Sequence, residues 1–158
     1  MDERFLRNEM LWGKDGQARL TAAHVIVFGL GGVGSYVTEC LARAGVGELT
    51  LVDSDTVALS NLNRQLLSEV SLLGVGKAQT AAERVRRVNP DVAVHAVGEF
   101  LTEENAAALL TDCDAVLDGL DNIQSRQILA NACERAGIPL ICGAVFHAEV
   151  LDERCNQP

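Results

Sequence analysis

At 158 residues, 48% hydrophobic and 22% charged, the chain has the size and balance of one globular domain with its own core. Only 4% of it is aromatic, so that core is expected from Val, Leu, Ile and Ala. The formal net charge of −9, with no basic stripe, argues against a general nucleic-acid binder.

The N-terminus, "MDERFLRNEM", is charged and lacks the apolar run of a signal peptide. No run of 18 or more apolar residues is present, so no membrane span is expected, and the expected location is cytoplasmic. Segment 2–20 has helical composition and is expected to pack across a sheet or onto a partner. "HVIVFG" (24–29) is an apolar, β-branched run closed by glycine and reads as a strand. "VGSYVTECLARAG" (33–45) places Val37, Cys40, Leu41 and Ala44 on one helical stripe, with Gly45 as its C-terminal glycine. "GELTLVD" (47–53) is a second strand.

The alternation continues. A helix over 75–89 is stopped by Pro90, and "DVAVHAV" (91–97) alternates as a strand. Arg84, Arg86 and Arg87 on that helix read as a solvated face. Thr102, Glu103 and Glu104 suit the first turn of a helix over 102–112. A strand over 114–120, a helix over 122–137 ending in glycine and a strand over 138–145 follow. The tail 147–158 has no clear period. Strands alternating with helices predict an α/β, Rossmann-like, mostly parallel sheet covered by helices on both faces. The five cysteines include no C-x-x-C pair and are expected to be reduced thiols, with Cys142 in the core.

Parallel sheets bind ligands beyond the carboxyl ends of their strands. Gly29, Gly31 and Gly34 follow the first strand in G-x-G-x-x-G spacing, with Gly32 as an extra glycine. In such a turn Gly29 permits the bend, Gly31 and Gly32 let the backbone approach a ligand, and Gly34 packs helix on strand. The helix N-terminus offers free N–H groups to an anion. Asp53, nineteen positions after Gly34, is placed to bond ribose hydroxyls of either NAD or ATP. Arg64 and Lys77 follow that strand, and a triphosphate recruits such cations. Asp121 could then hold Mg²⁺ on the phosphates, or instead cap the helix that follows it. His24, His95 and His147 have no evident catalytic task.

Several ordered motifs together resemble the ThiF/MoeB/HesA family, relatives of the ubiquitin-activating enzymes. They are R-x-x-R (Arg4, Arg7), "GLGGVGS", "AGVGELTLVDSDTVALSNLNRQ", "GKAQ", "VNPDV" and "LDGLDNIQSR" with its D-N-x-x-x-R (Asp121, Asn122, Arg126). The resemblance implies an ATP-dependent adenylyltransferase using ATP and Mg²⁺. Its partner would be a small ubiquitin-like sulfur-carrier protein, whose C-terminal glycine carboxylate is joined to AMP with release of pyrophosphate. The resemblance places Gly32 and its neighbours at the phosphates and Asp53 at the ribose. Ser60, Asn61 and Arg64 would line the phosphate site, with Lys77 also on the phosphates. Asp121 would be the Mg²⁺ aspartate, with Asn122 beside it. Arg7 would reach the site of a neighbouring subunit, implying a homodimer.

Family members continue well past this length. The chain is therefore expected to be one nucleotide-binding domain over 1–158, the N-terminal half of a larger adenylation domain truncated at its C-terminus. Full activity would need the rest. Three other readings stay open. A tRNA threonylcarbamoyladenosine dehydratase shares the layout; "RFLRNEMLWG" and "GGVGS" suit it, whereas "LDGLDNIQSR" and "ACERAGIPLICGA" suit the sulfur-carrier group. An NAD(P)-dependent dehydrogenase fragment would leave Arg64, Lys77 and Asp121 without a task. A non-catalytic dimerising module would bind nucleotide without turnover.

Overall fold

The structure is a computed structural model that describes residues 2–143. Five strands form one sheet: β1 (His24–Phe28), β2 (Glu48–Val52), β3 (Ala93–Val97), β4 (Ala115–Asp118) and β5 (Leu140–Cys142). Their spatial order is β3-β2-β1-β4-β5, and every neighbouring pair is parallel. The helices are α1 (Leu6–Ala22), α2 (Gly34–Ala44), α3 (Lys77–Val88), α4 (Glu103–Leu109) and α5 (Ile123–Ala136). The Rossmann-like α/β fold expected from the alternation is thus observed. None of these helices is long and apolar enough to cross a membrane.

The sheet separates two apolar cores. On one face Val25, Val27, Leu49 and Leu51 meet Ala42, Ala78, Ala81 and Val85 from α2 and α3. On the other, Ile26, Phe28, Val52 and Val116 meet Ala106, Leu129 and Ala132 from α4 and α5. Both sides of β1 are therefore buried, which explains why "HVIVF" is a continuous apolar run rather than an alternating one. Helix ends follow local chemistry. Gly45 and Gly137 take left-handed φ values of 82° and 69° at the ends of α2 and α5. Thr102 caps α4 by accepting from the Asn105 N–H. That helix stops at Leu109, three residues before the predicted end.

The N-terminal helix α1 docks beside the end of α2 and the start of β2. Asn8 and Gln17 donate to the Ala44 carbonyl at 3.1 and 2.9 Å, satisfying an acceptor that the end of α2 leaves unpaired. Phe5 and Thr21 fill the space beside Gly45 and Gly47; a Cβ on Gly45 would lie 2.5 Å from the Phe5 ring. A break at Gly13, with φ 73° and ψ 172°, bends the helix.

The last strand also differs. β5 ends at Cys142; residues 144 and 145, and the tail with His147 and Cys155, lie outside the described residues. Cys142, expected in the core, is exposed, because β5 has no neighbour on its outer side among the described residues.

Candidate active site

The strand order reverses between β1 and β4, the place where a parallel sheet opens a crevice at its carboxyl edge. The chain leaving β1 is pinned there. The Gly29 N–H donates to the Val52 carbonyl at 2.9 Å, and the Gly119 N–H donates to the Phe28 carbonyl at 2.8 Å. Above this edge lies a cavity of about 680 Å³. Of the predicted residues, Gly29, Gly31, Gly32, Asp53, Arg64, Lys77, Asp121 and Asn122 line it. Gly34, Ser60, Asn61 and Arg7 do not.

The glycines divide into two kinds. A Cβ on Gly34 would lie 1.7 Å from the Gly29 carbonyl oxygen, and one on Gly29 would lie 2.8 Å from Gly119. Close backbone packing therefore requires glycine at both. Gly34 is thus a packing residue outside the cavity lining. Gly31 and Gly32 differ: a Cβ on either would find its nearest atoms at 3.7 and 3.8 Å, ordinary contact distance, and neither has a positive φ. Packing among the described residues does not require glycine there. What the missing Cβ atoms leave is open surface on the cavity wall, a cradle of the kind a phosphate chain needs next to backbone.

Asp53 closes the other side of the turn. One carboxylate oxygen accepts the Leu30 N–H at 2.7 Å, and the other accepts the Asp55 N–H at 2.8 Å. An ionised carboxylate has about four acceptor sites. Two therefore remain for hydroxyl donors such as those of a ribose.

Lys77 begins α3 and is buried, and its Nζ lies 2.8 Å from Asp55 Oδ2. Its backbone N–H also donates to the Asp55 carbonyl at 2.9 Å. Asp55 thus holds the lysine at the cavity wall, and a phosphate taking this ammonium competes with Asp55 for it. Arg64 is exposed and stretches along the surface beside Gly32. Its guanidinium donates to the Ser60 carbonyl at 2.9 Å and to Asn63 Oδ1 at 3.1 Å. Ser60 and Asn61 shape this loop from behind. Asn61 is buried; its Oδ1 accepts the Ala58 N–H at 2.9 Å, and its carbonyl accepts the N–H groups of Arg64 and Gln65. Arg7 is exposed on the first turn of α1, the helix docked at the α2–β2 corner.

The helix cap, one of the two tasks open to Asp121, falls to its neighbour Asn122. The cap of α5 is Asn122, whose Oδ1 accepts the Ser125 N–H at 2.8 Å. Asp121 is exposed in the cavity lining and has no hydrogen-bond partner among the described residues. It is a carboxylate without a structural task. No cluster of three or more His, Cys, Asp or Glu among the described residues could hold a metal unaided. That fits a magnesium ion held by one carboxylate, phosphate oxygens and water, the usual donor set for this ion.

Two partners here were not legible from spacing. Asp118, at the end of β4, is buried; its Oδ1 accepts the Leu120 N–H at 2.9 Å and its Oδ2 accepts from Arg126 Nε at 2.8 Å. Arg126 also donates to the Gly143 carbonyl at 3.2 Å. The Asp118 hydrogen bond pushes this guanidinium above its ordinary range. The pair ties both ends of the segment carrying Asp121. The D-N-x-x-x-R motif was the available signal for Arg126; Asp118 read only as a strand residue. Glu99 also lines the cavity, whereas the described histidines stand apart from it. His24 bonds the Asp112 carbonyl and Thr50 at the start of β1, and His95 bonds Glu48. Burial pushes the Cys113 and Cys133 thiols up, away from thiolate chemistry.

The profile of the ThiF family matches residues 5–151. The chain belongs to the ThiF family. It is 42% identical over 135 residues to the molybdopterin-synthase adenylyltransferase of Escherichia coli, covering 85% of this chain and 54% of that protein. It is 40% identical over 141 residues to a tRNA threonylcarbamoyladenosine dehydratase of Haemophilus influenzae, covering 89% of this chain and 54% of that one. The E. coli tRNA N6-threonylcarbamoyladenosine dehydratase in complex with ATP superposes with a TM-score of 0.88 at 36% identity, covering 93% of this ThiF-family chain and 62% of that structure. The chain thus spans about half the length of the curated relatives it matches.

Proposed function

We propose that this chain is the nucleotide half of an ATP-dependent adenylyltransferase. It would activate the C-terminal glycine carboxylate of a small ubiquitin-like sulfur-carrier protein, giving an acyl-adenylate and pyrophosphate. The observation that carries this reading is one cavity joining Gly31 and Gly32, Arg64 and Lys77, and an Asp121 unpartnered among the described residues. An NAD site would use the glycines and Asp53 but give Arg64, Lys77 and Asp121 no task. The ATP complex of the dehydratase relative supports nucleoside triphosphate binding.

The chemistry follows from charge. A carboxylate attacks the α-phosphorus, so two anions meet and negative charge moves onto the leaving pyrophosphate. The attacking carboxylate is already ionised, so no protein nucleophile or general base is needed. Arg64 and Lys77 would offset the charge that builds on the phosphate oxygens. Asp53 would hold the ribose, and Asn122 would sit beside the phosphates. Magnesium, when bound, supplies further charge neutralisation on the phosphates, and Asp121 is the residue placed to hold it.

Arg7 belongs to the same proposal as a residue acting on the cavity of a second copy. It lies outside its own chain's cavity lining. Beside it Met10 and Leu11 are 84% and 79% exposed, an apolar surface suited to burial in a homodimer.

A second reading keeps the nucleotide chemistry and changes the acceptor: a tRNA threonylcarbamoyladenosine dehydratase. The 40% identical relative and the 0.88 TM-score favour it, whereas the net charge of −9 disfavours RNA as the acceptor. ATP–pyrophosphate exchange with Mg²⁺ separates the readings. We expect exchange that depends on a carrier ending in Gly-Gly and is lost in Asp121→Ala. Exchange or turnover stimulated by modified tRNA alone would move the conclusion to the dehydratase. ATP binding without any exchange would favour a non-catalytic module. Tight NAD binding without ATP binding would overturn the proposal.

A further inference from the structure

Gln65 lines the cavity, apart from the residues assigned to the ribose, the phosphates and the magnesium. Only 6% of the residue is exposed, and its position is fixed from both sides. Its own N–H donates to the Asn61 carbonyl at 3.0 Å, and the next N–H, of Leu66, donates to Ser35 Oγ at 3.2 Å. Ser35 is itself fully buried in the first turn of α2. The loop carrying Gln65 is thereby clamped to the helix that the glycine turn opens.

The side chain is oriented as well. Its Oε1 accepts from Ser68 Oγ at 3.2 Å. This leaves Nε2, with two N–H donors, without an acceptor among the described residues. Nε2 lies 3.7 Å from the point that a Cβ on Gly31 would occupy. The side-chain polar atoms that are both sealed from solvent and unpartnered among the described residues are the hydroxyls of Thr38 and Thr80. Gln65 Nε2 is not one of them, so it keeps an opening, and the surface it lines is the cavity. Consecutive glycines thus face consecutive loop side chains: Gly31 faces Gln65, and Gly32 faces Arg64.

We propose that Gln65 is a phosphate ligand, its Nε2 donating to a nucleotide phosphate oxygen where the chain of phosphates passes over Gly31. The inference rests on the nucleotide reading. Phosphate oxygens are pure acceptors, the complement of two unpaired N–H donors. Arg64 and Lys77 supply charge, and the rigidly held carboxamide supplies a fixed donor direction. It selects for an acceptor oxygen at one point of the wall rather than for negative charge at large.

The test is calorimetric titration of the chain with ATP and with adenosine, alongside thermal unfolding, for the unaltered protein, Gln65→Ala and Gln65→Glu. The Gln65→Glu change keeps the size and the acceptor for Ser68 but replaces the donor with an anionic oxygen. A charge-assisted hydrogen bond exchanged for repulsion is expected to weaken ATP about tenfold or more. The loss is expected to exceed that in Gln65→Ala, with adenosine affinity and unfolding temperature unchanged. ATP affinity equal to that of the unaltered protein in Gln65→Glu would overturn the proposal. So would equal losses for ATP and adenosine, or a loss that only follows a fall in unfolding temperature. An unaltered chain that binds adenosine but gains nothing from the phosphates would overturn the nucleotide reading and this proposal together.

Discussion

Within six residues the glycine turn contains two sites that look alike in sequence and differ in physics. Gly29 and Gly34 sit against backbone, where a Cβ would lie 2.8 Å from Gly119 and 1.7 Å from the Gly29 oxygen. Gly31 and Gly32 face the cavity with room for a Cβ and no positive φ. The first pair is demanded by the fold, whereas nothing among the described residues demands the second. A glycine motif therefore carries two separable signals, and only the inner pair speaks about a ligand.

The sharpest way to break this division is Gly34→Ala. The overlap is with a backbone carbonyl that cannot swing away, so we expect a loss of more than about 5 kcal/mol, read as loss of cooperative unfolding. A native-like unfolding curve would erase the distinction. Arg126 tests the boundary between the two classes, since it lines the cavity yet is paired with buried Asp118. Arg126→Met leaves that carboxylate unpaired and is expected to cost about 3 kcal/mol in denaturant titration. A stable variant defective only in ATP binding would instead put Arg126 with the ligand residues.

Glu39 serves as a fold-only reference away from the cavity. The hydrogen bond from Arg84 holds its carboxyl below the ordinary value of 4.5, and Arg43 adds to the effect. A depressed carboxylate contributes stability above its unfolded value and loses it as pH falls through the folded value. Glu39→Gln is therefore expected to cost about 2 kcal/mol at neutral pH. The gap from the unaltered chain should close as pH falls below 4.5, with no change in nucleotide affinity at neutral pH. A gap that persists in acid would assign the loss to packing. The smallest effect on folding is expected for Gly31→Ala and Gly32→Ala, within about 0.5 kcal/mol of the unaltered chain.

Elements that alternate in composition were legible in the sequence because each buries a continuous or striped apolar face. β1 and α3 lie where their patterns put them, and Gly45 and Gly137 end their helices as expected. The cavity lining was legible where a charged residue follows a strand or opens a helix: Asp53 after β2, Lys77 at the start of α3, Asp121 after β4. What spacing could not show were partners brought together by the fold. Asp55 meets Lys77 across 22 positions, and Asp118 meets Arg126 around a turn. That Asn122, and not Asp121, caps α5 turned on one residue of register. Nor does a sequence show which acceptor an N-terminal helix will find. Here it was the Ala44 carbonyl left open at the end of α2.

The central claim is that the inner glycines leave room for the phosphates of ATP. Titrating MgATP and NAD into the unaltered chain and into Gly32→Ala, with unfolding temperatures measured on the same samples, tests it most directly. We predict binding of MgATP in preference to NAD, weakened about tenfold, or about 1.4 kcal/mol, by the added methyl at constant unfolding temperature. MgATP affinity indifferent to that methyl, or NAD taken in place of ATP, would contradict it.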